Sequence, residues 1–168
     1  PREKNPLEVP IARNINWSMD FMHDTLRNKR RFRVFNVIDD YNRQALAIEA
    51  DFSIPSNAVI RILERTIHEY GKPLKIRTDN GPEFTCSTFV DWCAAHDIEI
   101  QYIQPGKPTQ NSFIERFNRT FREDVLDAYL FEDLYEFRHI TDEWQEDYNY
   151  FRPHESLNNL SPIKYCGA

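Results

Sequence analysis

At Pro55 the period of the chain changes, and that change limits the folds open to it. Upstream, apolar residues alternate: within 14–26, Trp17, Met19 and Phe21 fall on one face and Ser18, Asp20 and Met22 on the other. Residues 31–52 hold two more runs of Val, Ile, Phe and Leu around the turn Asp39-Asp40-Tyr41-Asn42, so 14–52 reads as a three-stranded antiparallel meander. Downstream the spacing is helical. Ser56 is placed as an N-cap, and Val59, Ile62, Leu63, Thr66, Ile67 and Tyr70 recur at three and four until Gly71 ends the pattern. A strand at "LKIRTD", a helix around Phe89, Val90, Cys93 and Ala94, and a strand at "IEIQYI" follow. The order β-β-β-α-β-α-β calls for a mixed α/β sheet with crossover helices.

Past the loop "QPGKP" a long helix is expected from Thr109 to about Tyr129. A last one, from Asp133 to Tyr150, carries Leu134, Phe137, Ile140, Trp144 and Tyr148 inward. Residues 153–168, rich in Pro, Asn and Ser, read as an irregular tail packed on the core formed by 15–152. Residues 1–14 read as an extended linker from a preceding region, since the chain opens on Pro1 rather than Met.

At 168 residues the chain suits one domain with one sizeable core. Three cysteines leave one unpaired and show no zinc spacing, which favours a reducing compartment. No apolar run approaches the roughly 20 residues of a membrane helix. The net charge of -6 argues against a nucleic-acid partner until its distribution is considered. Residues 1–122 carry +2 and residues 123–168 carry -8, so any DNA face belongs to the earlier part.

Three carboxylates stand apart from the rest. Asp20 lies in mid-strand. Exposure on an edge would account for it, but on a central strand it would be partly buried and in need of a partner. Asp79 ends the strand "LKIRTD", at the end of a strand where α/β sheets place ligands. On a wheel of about 100° per residue, Ile114, Phe117, Phe121, Val125 and Ala128 form the core stripe of the long helix. Glu115 lies on the flank of that stripe with Asn111, Asn118, Arg119 and Arg122. An exposed Glu paired with Arg at i+4 is the ordinary reading of such a helix face. A divalent cation would reconcile all three carboxylates, because hard cations take oxygen ligands.

Thirty-five residues separate Asp79 from Glu115, and "RTDNGPEF" and "QPGKPTQNSFIERFNRTFRED" surround them. With "NINWSMDFM", "FNVIDDYNR" and "YNYFRPHESLNNLSPIKY" in order, the chain resembles the D,D-35-E catalytic cores of retroviral integrases and of related bacterial insertion-sequence transposases. The resemblance implies a ribonuclease H-like fold, with a five-stranded mixed sheet of three antiparallel and two parallel strands flanked by helices. It implies Asp20, Asp79 and Glu115 as catalytic metal ligands for Mg²⁺, with Mn²⁺ as substitute and two ions when DNA is bound. The implied reaction is phosphoryl transfer that frees 3′-hydroxyls at element ends and joins them to target DNA, within a homo-oligomer in the bacterial cytoplasm, associated with the nucleoid when acting. A related nuclease that only hydrolyses, and a silent binding or oligomerisation module, are the alternatives.

Among supporting residues, Lys107, Asn111, Arg119 and Arg122 are candidate DNA contacts. The ordinary role of the two arginines is to pair with Glu115 or with the acidic last helix. Asn80 and Gly81 make the turn after Asp79, with Gly81 expected to permit positive φ and Asn80 a candidate for orienting a metal-bound water. Lys29, Arg30, Arg31 and Arg33 read as a solvated hairpin tip. Asp39 and Asp40, which also end a strand, read as a polar turn.

Overall fold

The computed structural model describes residues 7–167, with the side chain of Pro108 excepted. The upstream alternation forms β1 (Asn16–Thr25), β2 (Arg31–Asp39) and β3 (Ala45–Asp51), and two short strands follow, β4 (Lys75–Thr78) and β5 (Glu99–Tyr102). They assemble in the order β3-β2-β1-β4-β5. β1 pairs antiparallel with β2 and parallel with β4; β2 and β3 are antiparallel, and β4 and β5 parallel. β1 is therefore central, and each parallel pairing is reached through helical segments. The five-stranded mixed sheet expected from the sequence is what forms.

The two faces of β1 enter two cores. Trp17 and Met19, with Phe21 at the margin, pack with α1 (Ser56–Tyr70) and α3 (Ser87–Ala95) through Val59, Leu63, Phe89 and Cys93. Met22 enters the opposite core with Val34, Ile38 and the inner faces of α4 (Ser112–Phe121) and α5 (Leu134–Tyr150). Asp20, two residues before Met22, consequently lies beneath α4.

Several local expectations change. Ser56 is the first residue of α1 rather than its cap; the helix starts after Pro55, and the Ser56 hydroxyl accepts from Cys86 Sγ at 3.1 Å. Gly71 does end α1, at φ 97°. A single turn, α2 (Pro82–Thr85), intervenes after β4. The long helix expected over 109–129 is divided into a 3₁₀ turn at Pro108–Asn111, then α4, then a π segment at Arg122–Leu126. The wider π turn, closed by Asp127 N–H donating to Arg122 O at 2.8 Å, carries the adjacent Val125 and Leu126 both inward. The chain leaves the helix there, so Ala128 is exposed rather than part of the stripe. In α5, Asp133 Oδ1 accepts from Glu136 N–H at 2.8 Å, a side-chain N-cap.

Asp39 and Asp40 are not a solvated turn. Both are fully buried, and Asp40 accepts from Ser18 Oγ at 2.6 Å, from Arg77 at 2.6 Å and from Asn16. The basic hairpin is exposed through Arg31, but Arg33 turns back to pair with Glu83 at 2.7 Å with its guanidinium over the Phe21 ring. Of the terminal regions, 7–15 carries no strand or helix. The segment after Arg152 makes a bridge between His154 and Leu160, buries Leu157, and offers Pro162 O to Asn42 at 3.2 Å. Residues 1–6 of the expected linker, and Ala168, lie outside the described residues.

Candidate active site

Three elements bring three carboxylates to one place. Asp20 comes from the middle of the central strand. Asp79 follows β4, the parallel neighbour of that strand. Glu115 stands in the first turn of α4, whose Ile114, Phe117 and Phe121 anchor the helix over the sheet. Burial pushes the Asp20 carboxyl up from 3.8 to about 6, and the nearby negative charges of Asp79 and Glu115 push in the same direction. Hydrogen bonds from Phe21 N–H and Asn118 oppose the shift without cancelling it. Burial also raises the Glu115 carboxyl, partly offset by the Arg119 guanidinium one turn on.

Each carboxylate has local supports. Asp20 Oδ1 accepts from Phe21 N–H at 2.9 Å and Oδ2 from Asn118 Nδ2 at 3.1 Å. Asp79 Oδ1 accepts from Gly81 N–H at 2.8 Å. Gly81 itself has φ -59°, so the expected positive φ is absent. What glycine gives there is space: a Cβ would crowd Asp79 Oδ1 at 3.0 Å and Glu83 Oε2 at 3.1 Å, so those side chains would have to give way. Asn80 Nδ2 donates to Ile103 O at 2.9 Å, joining the end of β4 to the chain beyond β5. Its amide thus has a structural tie of its own beside Asp79.

The candidate DNA contacts divide. Lys107 and Arg119 are exposed. Arg122 reaches across to β1, donating to His23 O at 2.9 Å and standing 3.5 Å from Asp127. Asn111 is 3% exposed, so its side chain belongs to the packing under the 3₁₀ turn and not to an outer DNA face. Its place on the flank of the wheel fails because the helix begins only at Ser112. Sequence reasoning missed the partners of Asp20. Asn118 was on the correct flank of the helix, but Asn36, which donates to Asn118 Oδ1 at 3.0 Å, sits on another strand. The only sequence signal for Asn36 was a polar residue within the run "FRVFNVI".

Among the described residues, no three His, Cys, Asp or Glu side chains, the three carboxylates included, stand close enough together to hold a metal ion as they are. The donor chemistry nevertheless fits a hard cation. All three groups offer carboxylate oxygens only, and the burial and neighbouring negative charge that raise the Asp20 carboxyl are what a bound cation would offset.

Sequence profiles of the integrase core domain match residues 12–108 and 96–162. An uncharacterized 39.2 kDa protein of insertion element IS476 from Xanthomonas euvesicatoria is 39% identical over 98% of this chain and 47% of its own length. A 31.7 kDa protein of element IS407 from Burkholderia multivorans is 40% identical over 98% of this chain and 59% of its own. The chain thus spans about half the length of these relatives. In three dimensions it resembles the HTLV-2 integrase catalytic core domain solved with magnesium, with TM-score 0.72, 19% identity, and coverage of 90% of this chain and 95% of that one. It also resembles a chain of the simian T-cell lymphotropic virus intasome, with TM-score 0.80, 18% identity, and coverage of 96% and 57%. At these identities the two structures speak for a shared ribonuclease H-like fold.

Proposed function

Because the chain belongs to the integrase core domain family, we propose that it is the catalytic core of a bacterial insertion-element transposase, which frees 3′-hydroxyl ends of the element and joins them to target DNA. The observation that carries this reading is the convergence of Asp20, Asp79 and Glu115 from β1, the end of β4 and the first turn of α4, where burial first, and the charges of Asp79 and Glu115 after it, raise the Asp20 carboxyl. Folding has assembled negative charge where a monomeric structural domain gains nothing from it.

In this reading Asp20, Asp79 and Glu115 hold Mg²⁺, or Mn²⁺ in its place, as two ions when DNA is bound. Bound divalent ions supply Lewis-acid polarisation of the phosphodiester and a counter-charge for its transition state. The protein's own residues position and neutralise. Gly81 N–H holds Asp79, and Asn118 holds Asp20. The exposed cations of Lys107 and Arg119 are placed to take backbone phosphates of element ends or target. Arg122 contributes charge to the same flank of α4 while tethering the helix end to β1. No nucleophilic side chain is required, because water attacks in the first step and the freed 3′-hydroxyl in the second.

Among the described residues no helix is long and apolar enough to cross a membrane, and we place the working protein in the cytoplasm, at the nucleoid when acting. Joining two ends calls for at least a dimer. The test is a joining assay with the protein that carries this core, labelled element ends and supercoiled target. Glu115→Gln is expected to lower joining by at least 100-fold (a loss of about 2.7 kcal/mol or more in transition-state stabilisation) with end binding retained. Cleavage without joining by the unaltered protein would identify a hydrolase instead, and DNA binding without any cleavage would identify a silent module.

A further inference from the structure

Asn36 is an amide in the wrong surroundings for its own stability. It lies on β2 directly opposite Asp20, fully buried, with Val34 and Ile38 beside it on the same strand face. Its Oδ1 is buried without a hydrogen-bond partner among the described residues. An unpaired buried carbonyl costs the fold free energy that an apolar side chain of similar size would not. What the amide supplies in return is direction. Its Nδ2 donates to Asn118 Oδ1 at 3.0 Å, with Met22 Sδ at 3.2 Å as a second, weak acceptor. Asn118 has one accepting and one donating end. With its oxygen taken by Asn36, its Nδ2 is the end that faces Asp20 Oδ2, at 3.1 Å. The reversed amide would set an oxygen against a carboxylate.

We infer that Asn36 is a positioning residue that acts through Asn118, fixing the sense of that amide and so the orientation in which Asp20 meets a divalent cation. Asn36 touches neither cation nor DNA. The relay runs from β2 to α4 and back to β1, so it also ties the placement of the helix that carries Glu115 to the strand that carries Asp20. The inference rests on the metal-site reading above and extends it to a residue outside the carboxylate set.

The test titrates Mn²⁺ into the full chain, following the free ion by electron paramagnetic resonance, alongside thermal unfolding in EDTA. Asn36→Val is expected to weaken Mn²⁺ binding by about tenfold, the order seen when an outer partner of a metal ligand is lost, while the unfolding midpoint stays level or rises. Asn118→Ala is expected to weaken binding similarly. The double variant is expected to match Asn118→Ala within about twofold, because residues acting in series are not additive. The inference is overturned if Asn36→Val binds Mn²⁺ normally while Asp20→Asn does not, if the two losses multiply, or if weakened binding comes with a lowered midpoint, which marks a merely structural role. If Asp20→Asn itself leaves Mn²⁺ binding intact, it is the underlying metal-site reading that fails, and the relay falls with it.

Discussion

A carboxyl held near 6 inside a fold acts on stability in one direction. Asp20 ionises at about 6 in the native chain against 3.8 ordinarily, so ionisation is harder in the folded state. Below pH 3.8 the group is protonated in both states and costs nothing; between 3.8 and 6 the penalty grows, and above 6 it is complete. A difference of that size corresponds to roughly 3 kcal/mol. Asp20→Asn is therefore expected to raise stability in EDTA at pH 8 by about 2 to 3 kcal/mol and to give no gain at pH 3.5, as measured by urea unfolding across pH. Equal gains at both would show that packing, not charge, sets the environment of Asp20. Gly81 raises a different question, that of space. With φ at -59° an alanine meets no backbone strain, but its Cβ would press on Asp79 Oδ1 and Glu83 Oε2. Gly81→Ala is expected to cost about 1 kcal/mol or less in stability and about tenfold or more in joining. A variant with normal joining and a large loss of stability would place the role of Gly81 in folding.

At the scale of elements, the helix periods in the sequence named the right inward faces, and the boundaries moved where tertiary contacts intervened. Val59, Ile62, Leu63 and Thr66 in α1 and Leu134, Phe137 and Tyr148 in α5 are buried as their spacing requires. The end of α4 is different. Asp124 accepts from Trp144 Nε1 at 2.9 Å and from Arg152 at 2.6 Å, so the π segment is tied to α5 and to the chain just past it. A regular helix continued through 129 would have set Ala128 rather than Leu126 against the core. No periodicity within 109–129 could have announced this, because the partners lie 20 and 28 residues further along. Asp124→Ala is expected to destabilise the chain by about 1 to 3 kcal/mol, leaving the Trp144 donor and part of the Arg152 charge without a partner. Chemical denaturation measures it, and a change within about 0.5 kcal/mol would show the tie to be incidental.

At the scale of the whole molecule, a buried ion pair ties the strands of the sheet together. Arg77 on β4 reaches Asp40, beyond the end of β2, at 2.6 Å, with Ser18 and Asn16 of β1 completing the carboxylate's donors. It thus links three strands of the sheet on the face that carries Asp20. Arg77→Met leaves a fully buried carboxylate without its cation and is expected to cost about 3 to 5 kcal/mol. Adding Asp40→Leu to it is expected to recover most of that loss, and calorimetry of the single and double variants checks both. From sequence, Asp39 and Asp40 read as a turn because Asp-Asp-Tyr-Asn is turn chemistry. Nothing local announced that α5 and the segment after it would cover that turn. The alternation along 14–52, the helical spacing after Pro55 and the 35-residue interval from Asp79 to Glu115 were enough to define the strand order's β-β-β-α-β-α-β pattern and the three carboxylates, since each is written in near neighbours or in a motif. The role of Gly81, the burial of Asn111 and the Asp40 network, the π turn and the Asn36–Asn118 relay were decided only in three dimensions. Each depends on contacts between elements far apart in the chain, where packing and the need to pair buried polar groups override local preference.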